Sequence, residues 1–135
     1  MIDCMILGDS IGVGISTQRP ECVAYVKGGI NSFQWNNKNL GKNLVAKNVI
    51  ISLGSNDYAE IHTFAELLTL RQVTQADRVY WIVPAIKPRV QDHVRSIATS
   101  YGDVVLEIPH LSKDKVHPTL TGYKELAKRT KNETK

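Results

Sequence analysis

The stretch "DCMILGDSIGVG", residues 3–14, decides the fold. Its first half is a short β-type apolar run that breaks at Gly8, and the chain resumes at Ser10 as a helix start. A strand that passes through a glycine-containing turn into a helix opens a β-α-β unit. The same kind of run recurs at "CVAYV" (22–26), "NVIISL" (48–53), "RVYWIV" (78–83) and "DVVLE" (103–107). Several are apolar on both faces, as parallel strands covered by helices must be.

The segments between the runs are long enough for crossover helices. In "EIHTFAELLTLRQVTQA" (60–76), Ile61, Phe64, Ala65, Leu68 and Val73 approximate one apolar stripe. "PRVQDHVRSIATSYG" (88–102) is a second helix, and "TLTGYKELAKRT" (119–130) a C-terminal one with Thr119 as its cap. This alternation predicts an α/β fold with a five-stranded parallel sheet, right-handed crossovers and helices on both faces. Ligands bind such sheets beyond the carboxyl ends of the strands.

The 135 residues suit one domain spanning 1–135, and 42% hydrophobic with 22% charged residues is an ordinary globular balance. No stretch approaches the roughly eighteen apolar residues that would cross a bilayer. The first ten residues lack a basic leader and a small-residue cleavage site, so the chain is expected to be cytoplasmic when made. A bacterial or phage-encoded origin is compatible with it. Cys4 and Cys22 lie in strand runs without metal-ligand spacing, and buried reduced thiols are expected there rather than a disulfide or a ligand pair. The net charge of +4 gathers partly in the tail "KRTKNETK" (128–135), expected to be a solvated terminus. No aromatic residues are interleaved with those charges, so nucleic acid has no support as a partner. The sequence is silent on oligomeric state.

Chemistry-bearing residues stand at the strand ends. Ser10 follows the first strand, where Asp9 and Ser10 also suit a helix cap. The stretch lacks the lysine of a P-loop and the spacing of a dinucleotide fold, which argues against nucleotide binding. The second strand ends in the glycine pair Gly28–Gly29, and the third in "GSND" (54–57), where Asn56 offers a side-chain amide and Asn-Asp also suits a turn. If the first strand lies between the second and third, these groups share one edge. The late stretch "DKVHP" (114–118) then adds a base, His117, and its orienter, Asp114. A serine hydroxyl is a poor nucleophile until a base takes its proton. Asn56 with the amides of Gly29 and Ser10 would donate to the oxyanion. His62 and His93 fall on presumed helices as surface or packing residues, whereas His110 sits in the same loop as His117 and is a candidate lining residue. His110, Asp114 and His117 lack zinc-hydrolase spacing, and no metal or organic cofactor is expected.

The chain resembles the SGNH hydrolase superfamily, the GDSL-type esterases, through ordered blocks: "GDS" at 8–10, Gly29, "GSND" at 54–57 and "DKVHP" at 114–118. The resemblance implies a three-layer α/β/α sandwich with a flavodoxin-like parallel sheet. It also implies a Ser10–His117–Asp114 triad and an oxyanion hole of the Ser10 amide, the Gly29 amide and the Asn56 side chain. Ile11 stands where the family's block carries leucine, and Gly28 competes with Gly29 for the second block. About twenty-four residues separate Gly29 from Gly54, too few for a large lid, so the site is expected to be shallow and suited to a small acyl group.

Two classes of function follow. The first is a metal-independent serine esterase for short-chain acyl esters, including O-acetyl carbohydrate, with the basic surface favouring an anionic glycan. The second is a catalytically silent carbohydrate-binding or structural module of the same fold.

Overall fold

The computed structural model describes residues 1–131. Five strands, β1 (Cys4–Gly8), β2 (Val23–Val26), β3 (Val45–Ser52), β4 (Gln75–Val83) and β5 (Val104–Glu107), form one sheet in the order β2-β1-β3-β4-β5. Every pairing is parallel. The five helices are α1 (Ser10–Gln18), α2 (Ser32–Asn39), α3 (Thr63–Val73), α4 (Pro88–Tyr101) and α5 (Leu120–Arg129).

Strand side chains alternate between two apolar layers. Met5, Leu7, Val49, Ile51, Trp81 and Val83 face α2, α3 and α4, while Cys4, Ile6, Ile50, Tyr80 and Ile82 face α1 and α5. The fold is therefore the expected three-layer α/β/α sandwich. No helix among the described residues is long and apolar enough to cross a membrane.

β3 and β4 begin three residues earlier than their apolar runs. Val45 pairs with Gln75 and Ala46 with Ala76, so the ladder extends into "VAK" and "QAD", where Ala46 still belongs to the core. Backbone hydrogen bonding holds these residues in the sheet whether or not their side chains are buried.

The apolar stripe expected on α3 is rotated. Thr63, Leu67 and Leu70 are its buried residues, whereas Phe64 and Val73 are 39% and 46% exposed. The reason lies at the helix start, where Thr63 Oγ1 donates to the buried Asp57 carboxylate at 2.7 Å. That anchor turns positions 63, 67 and 70 inward, and Ile61 is buried ahead of the helix.

The cysteines are a second correction. Cys4 and Cys22 form a disulfide, with Cα atoms 4.8 Å apart. Each directly precedes the first registered pair of β1 and β2, Met5 with Val23. The parallel ladder thus sets two residues eighteen apart in sequence side by side, a proximity that spacing alone does not reveal.

In the described part of the basic tail Lys128, Arg129 and Lys131 are exposed, and α5 runs on through Arg129. Thr130 is buried and receives the Arg19 guanidinium on its carbonyl at 3.1 Å and its hydroxyl at 3.2 Å. Residues 132–135 lie outside the described residues.

Replacing both cysteines by alanine is expected to lower unfolding free energy by about 3 kcal/mol, since the bridge closes a loop of this size in the unfolded chain. Urea denaturation checks this, and an unchanged midpoint would contradict it.

Candidate active site

β1 lies between β2 and β3, so the turns that leave these three strands stand side by side. Gly8 is level with both Val26 and Ser52. Two further bonds tie the turns together, Asp9 N–H to Ser52 O at 3.0 Å and Lys27 N–H to Gly8 O at 3.0 Å. Ser10 then opens α1, with Asp9 as N-cap accepting from the Ile11 amide at 3.0 Å. Asp9 caps the helix as expected, and Ser10 brings its hydroxyl to the carboxyl edge of the sheet.

The late loop brings its histidine to that hydroxyl. Ser10 Oγ lies 2.8 Å from His117 Nε2, and His117 Nδ1 lies 2.6 Å from Asp114 Oδ2. Asp114 Oδ1 accepts from the amides of Val116 and His117, each at 2.9 Å, and from Ser112 Oγ at 2.8 Å. The His117 and Val116 amides, with the His117 ring and Ser112, hold the Asp114 carboxyl well below the usual carboxylate range. An ionised carboxylate only accepts, so Nδ1 carries the ring proton. Nε2 is left with its lone pair toward Ser10, and the serine O–H donates.

The loop is held by its own backbone. Leu111 bridges Pro118, Ser112 N–H donates to His117 O at 2.8 Å, and Thr119 N–H donates to His110 O at 2.7 Å. His110 supplies that carbonyl from a left-handed backbone, φ 52°, while its exposed ring has no hydrogen bond among the described residues. His62 is an exposed residue ahead of α3, and the His93 ring packs on Phe64 at 5.4 Å. The His117 and Asp114 side chains are 40% and 50% exposed. The site is an open shelf.

At the glycine pair, Ile30 N–H returns to Lys27 O at 3.4 Å, and Gly29 in the third place has φ 79°. Gly28 lacks a positive φ, so this is the type II pattern, which requires glycine at Gly29. A Cβ on Gly28 would sit 3.9 Å from that of Ser10, so the pair adjoins the serine. Neither glycine amide has an acceptor among the described residues. Asn56 Nδ2 donates to Ile30 O at 3.0 Å, joining the β3 turn to the β2 turn. Its second N–H is uncommitted among the described residues.

Asp57 organises this edge in a way that the sequence reading missed. It is buried and accepts from the Ser32 amide at 2.9 Å, Ser32 Oγ at 2.6 Å and Thr63 Oγ1 at 2.7 Å. One carboxylate thereby ties the starts of α2 and α3 to the residue beside Asn56. The signal was present in "GSND", but an aspartate after a strand reads locally as turn chemistry.

Asp9 is the other buried acid. Its Oδ2 has no partner among the described residues, and burial pushes its carboxyl up from 3.8 to about 6.

No family profile matches the chain, and no curated protein matches it in sequence. Solved structures do match its shape. A Bacteroides fragilis protein described as an acylhydrolase superposes with a TM-score of 0.64 at 19% identity, covering 94% of this chain and 83% of that one. A Bacteroides uniformis protein described as a GDSL-like lipase gives 0.65 at 14% identity, covering 94% and 92%. The catalytic domain of Streptococcus pneumoniae peptidoglycan O-acetyltransferase A, solved with a methylsulfonyl adduct, gives 0.61 at 15%, covering 93% and 88%. The chain shares the fold of these proteins. Its likeness to these neighbours agrees with the resemblance carried by "GDS", Gly29, "GSND" and "DKVHP". At these identities the likeness is one of fold, and that fold is common to proteins named as an acylhydrolase, a lipase and a transferase.

Asp9 makes stability pH-dependent. Its carboxyl titrates at 3.8 in the unfolded chain and about 6 in the fold, so the stability it contributes is complete below pH 3.8 and is lost as pH rises through 6. The full change is about 3 kcal/mol. Asp9→Asn, which keeps a capping oxygen, is expected to remove this decline and to be the more stable protein near neutral pH. Urea titrations of both proteins across that range check it; parallel pH profiles would contradict it.

Proposed function

We propose that the chain is one SGNH hydrolase-like domain over residues 1–135 and works as a serine esterase for short acyl groups. The observation that carries this reading is the continuous path from Ser10 Oγ to His117 Nε2 at 2.8 Å and from His117 Nδ1 to Asp114 at 2.6 Å. Ser10 attacks the ester carbonyl while His117 takes its proton. The Ser10 and Gly29 amides and the free Asn56 N–H stabilise the oxyanion. His117 then returns the proton to the departing alcohol, and a water, deprotonated by His117, releases the acid from the acyl-serine. Asp114 stays ionised throughout, holding the ring and stabilising its charged form. The chemistry calls for no metal or organic cofactor.

The openness of the shelf supports a small acyl group. A cavity of about 250 Å³ at the ends of β4 and β5 shares Leu111 with the His117 loop, but neither Ser10 nor His117 lines it. A long acyl chain would need more enclosure than that beside the serine.

An anionic carbohydrate is the substrate class that the charge favours. A depression of about 210 Å³ between β2 and α2 is lined by Lys27, Lys38 and Lys42 with no acidic residue, and Lys42 stands over the Tyr25 ring at 5.4 Å. Lys27 directly precedes the glycine pair. Transfer of the same acyl-serine to a carbohydrate hydroxyl instead of water would be the activity named for the pneumococcal neighbour, and an added acceptor oligosaccharide separates the two by its acylated product.

Hydrolysis of p-nitrophenyl acetate, butyrate and octanoate tests the core of the reading. Turnover is expected to fall with chain length, to survive a chelator, and to drop at least about a thousandfold in Ser10→Ala. A fluorophosphonate that fails to label wild-type Ser10 would favour the silent binding module. The Lys38→Gln/Lys42→Gln double variant is expected to lose roughly tenfold in kcat/KM on an O-acetylated oligogalacturonide and much less on p-nitrophenyl acetate. Equal losses on both substrates would remove the anionic preference.

A further inference from the structure

Lys87 sits between β4 and α4 in a conformation that local physics disfavours twice. Its backbone is left-handed at φ 68°, a region that strains any residue with a Cβ. It is also the N-cap of α4, where its side chain makes no capping bond and its positive charge opposes the helix dipole. Glycine would hold the same φ without strain, and serine or aspartate would cap the helix. The backbone geometry alone therefore gives no reason for a lysine.

The ammonium has a different use. Lys87 Nζ donates to Ser55 O at 2.8 Å and to Asp57 O at 2.7 Å, the carbonyls on either side of Asn56. The turn between them is closed by Asp57 N–H to Gly54 O at 3.1 Å. Gly54, at φ 113°, stands so close to α4 that a Cβ there would lie 2.5 Å from Val90 Cγ1. The start of α4 thus carries both the surface on which this turn rests and the ammonium that grips it.

We propose that Lys87 is a positioning residue for the oxyanion: by pinning the Ser55–Asn56 and Asp57–Tyr58 peptide planes, it holds the turn that carries Asn56 and aims the free Asn56 N–H at the carbonyl that Ser10 attacks. This rests on the esterase reading of Ser10. Among the described residues the Asn56 side chain has one bond, to Ile30 O, and that bond alone leaves its amide free to swing about the contact. Two charge-assisted bonds to the flanking carbonyls remove the swing by holding the backbone from which the side chain projects. Preorganised donors are effective because they need no reorientation as charge develops.

The test is a double-mutant cycle on p-nitrophenyl acetate with Lys87→Gly, Asn56→Ala and the pair. Glycine suits φ 68°, so Lys87→Gly removes the ammonium while relieving the backbone, and its melting temperature should stay within a few degrees of wild type. Its kcat is expected to fall about tenfold or more with KM within about twofold. In the Asn56→Ala background the same change should cost less than about twofold. Lys87→Arg should recover part of the loss. An equal loss in both backgrounds, or a kcat near wild type in Lys87→Gly, would overturn the proposal. A wild type without Ser10-dependent turnover would instead sink the esterase reading. The positioning would then be judged by NMR: the Asn56 side-chain amide should broaden or exchange faster in Lys87→Gly, and an unchanged signal would refute it.

Discussion

The structure depends on the parallel pairing of β1 with two strands at once. Gly8 is level with Val26 on one side and Ser52 on the other, and the ladder runs one step past the strands through Asp9 and Lys27. Backbone hydrogen bonds of this kind are obligatory for a buried chain, so the three turns are brought level by the same force that builds the sheet. The serine, the glycine pair and the asparagine then share an edge without a contact made for that purpose alone.

Side chains refine what the ladder roughs out. Asp57 satisfies a helix-start amide and two hydroxyls at once, which binds the β3 turn to α2 and α3. A buried carboxylate is tolerable there because it is surrounded by donors. The Asp114 loop works on the same principle at the surface, where amides, a hydroxyl and a ring nitrogen converge on one carboxylate. The histidine is aimed by a loop that closes on itself.

The two ends of the sheet differ in what they hold. The amino edge carries the disulfide and the Arg71–Asp103 pair, whose carboxylate also takes the Trp81 indole N–H at 2.9 Å. The carboxyl edge carries the left-handed residues Lys87, His110 and Lys115, all of them in loops after β4 or β5. Strained backbone of this kind persists where the surroundings over-determine it. Here the surroundings are the β3 turn, whose carbonyls take the Lys87 ammonium, and the cross-bonded loop that holds His110 and Lys115.

The sequence by itself determined the alternation of elements, because two-faced apolar runs and helical segments are local signals. It also singled out Ser10, Asp114 and His117, which stand at a strand end or in one short loop and which the structure joins by hydrogen bonds. It misjudged several features that depend on residues distant in the chain. The inward face of α3 followed from Thr63 meeting Asp57, the early starts of β3 and β4 from backbone pairing, and the Cys4–Cys22 bridge from parallel register. The grip of Lys87 on the carbonyls beside Asn56 spans some thirty residues and runs against its own helix dipole. Local propensity speaks against a lysine there, and only the tertiary structure supplies the partners that make the position intelligible.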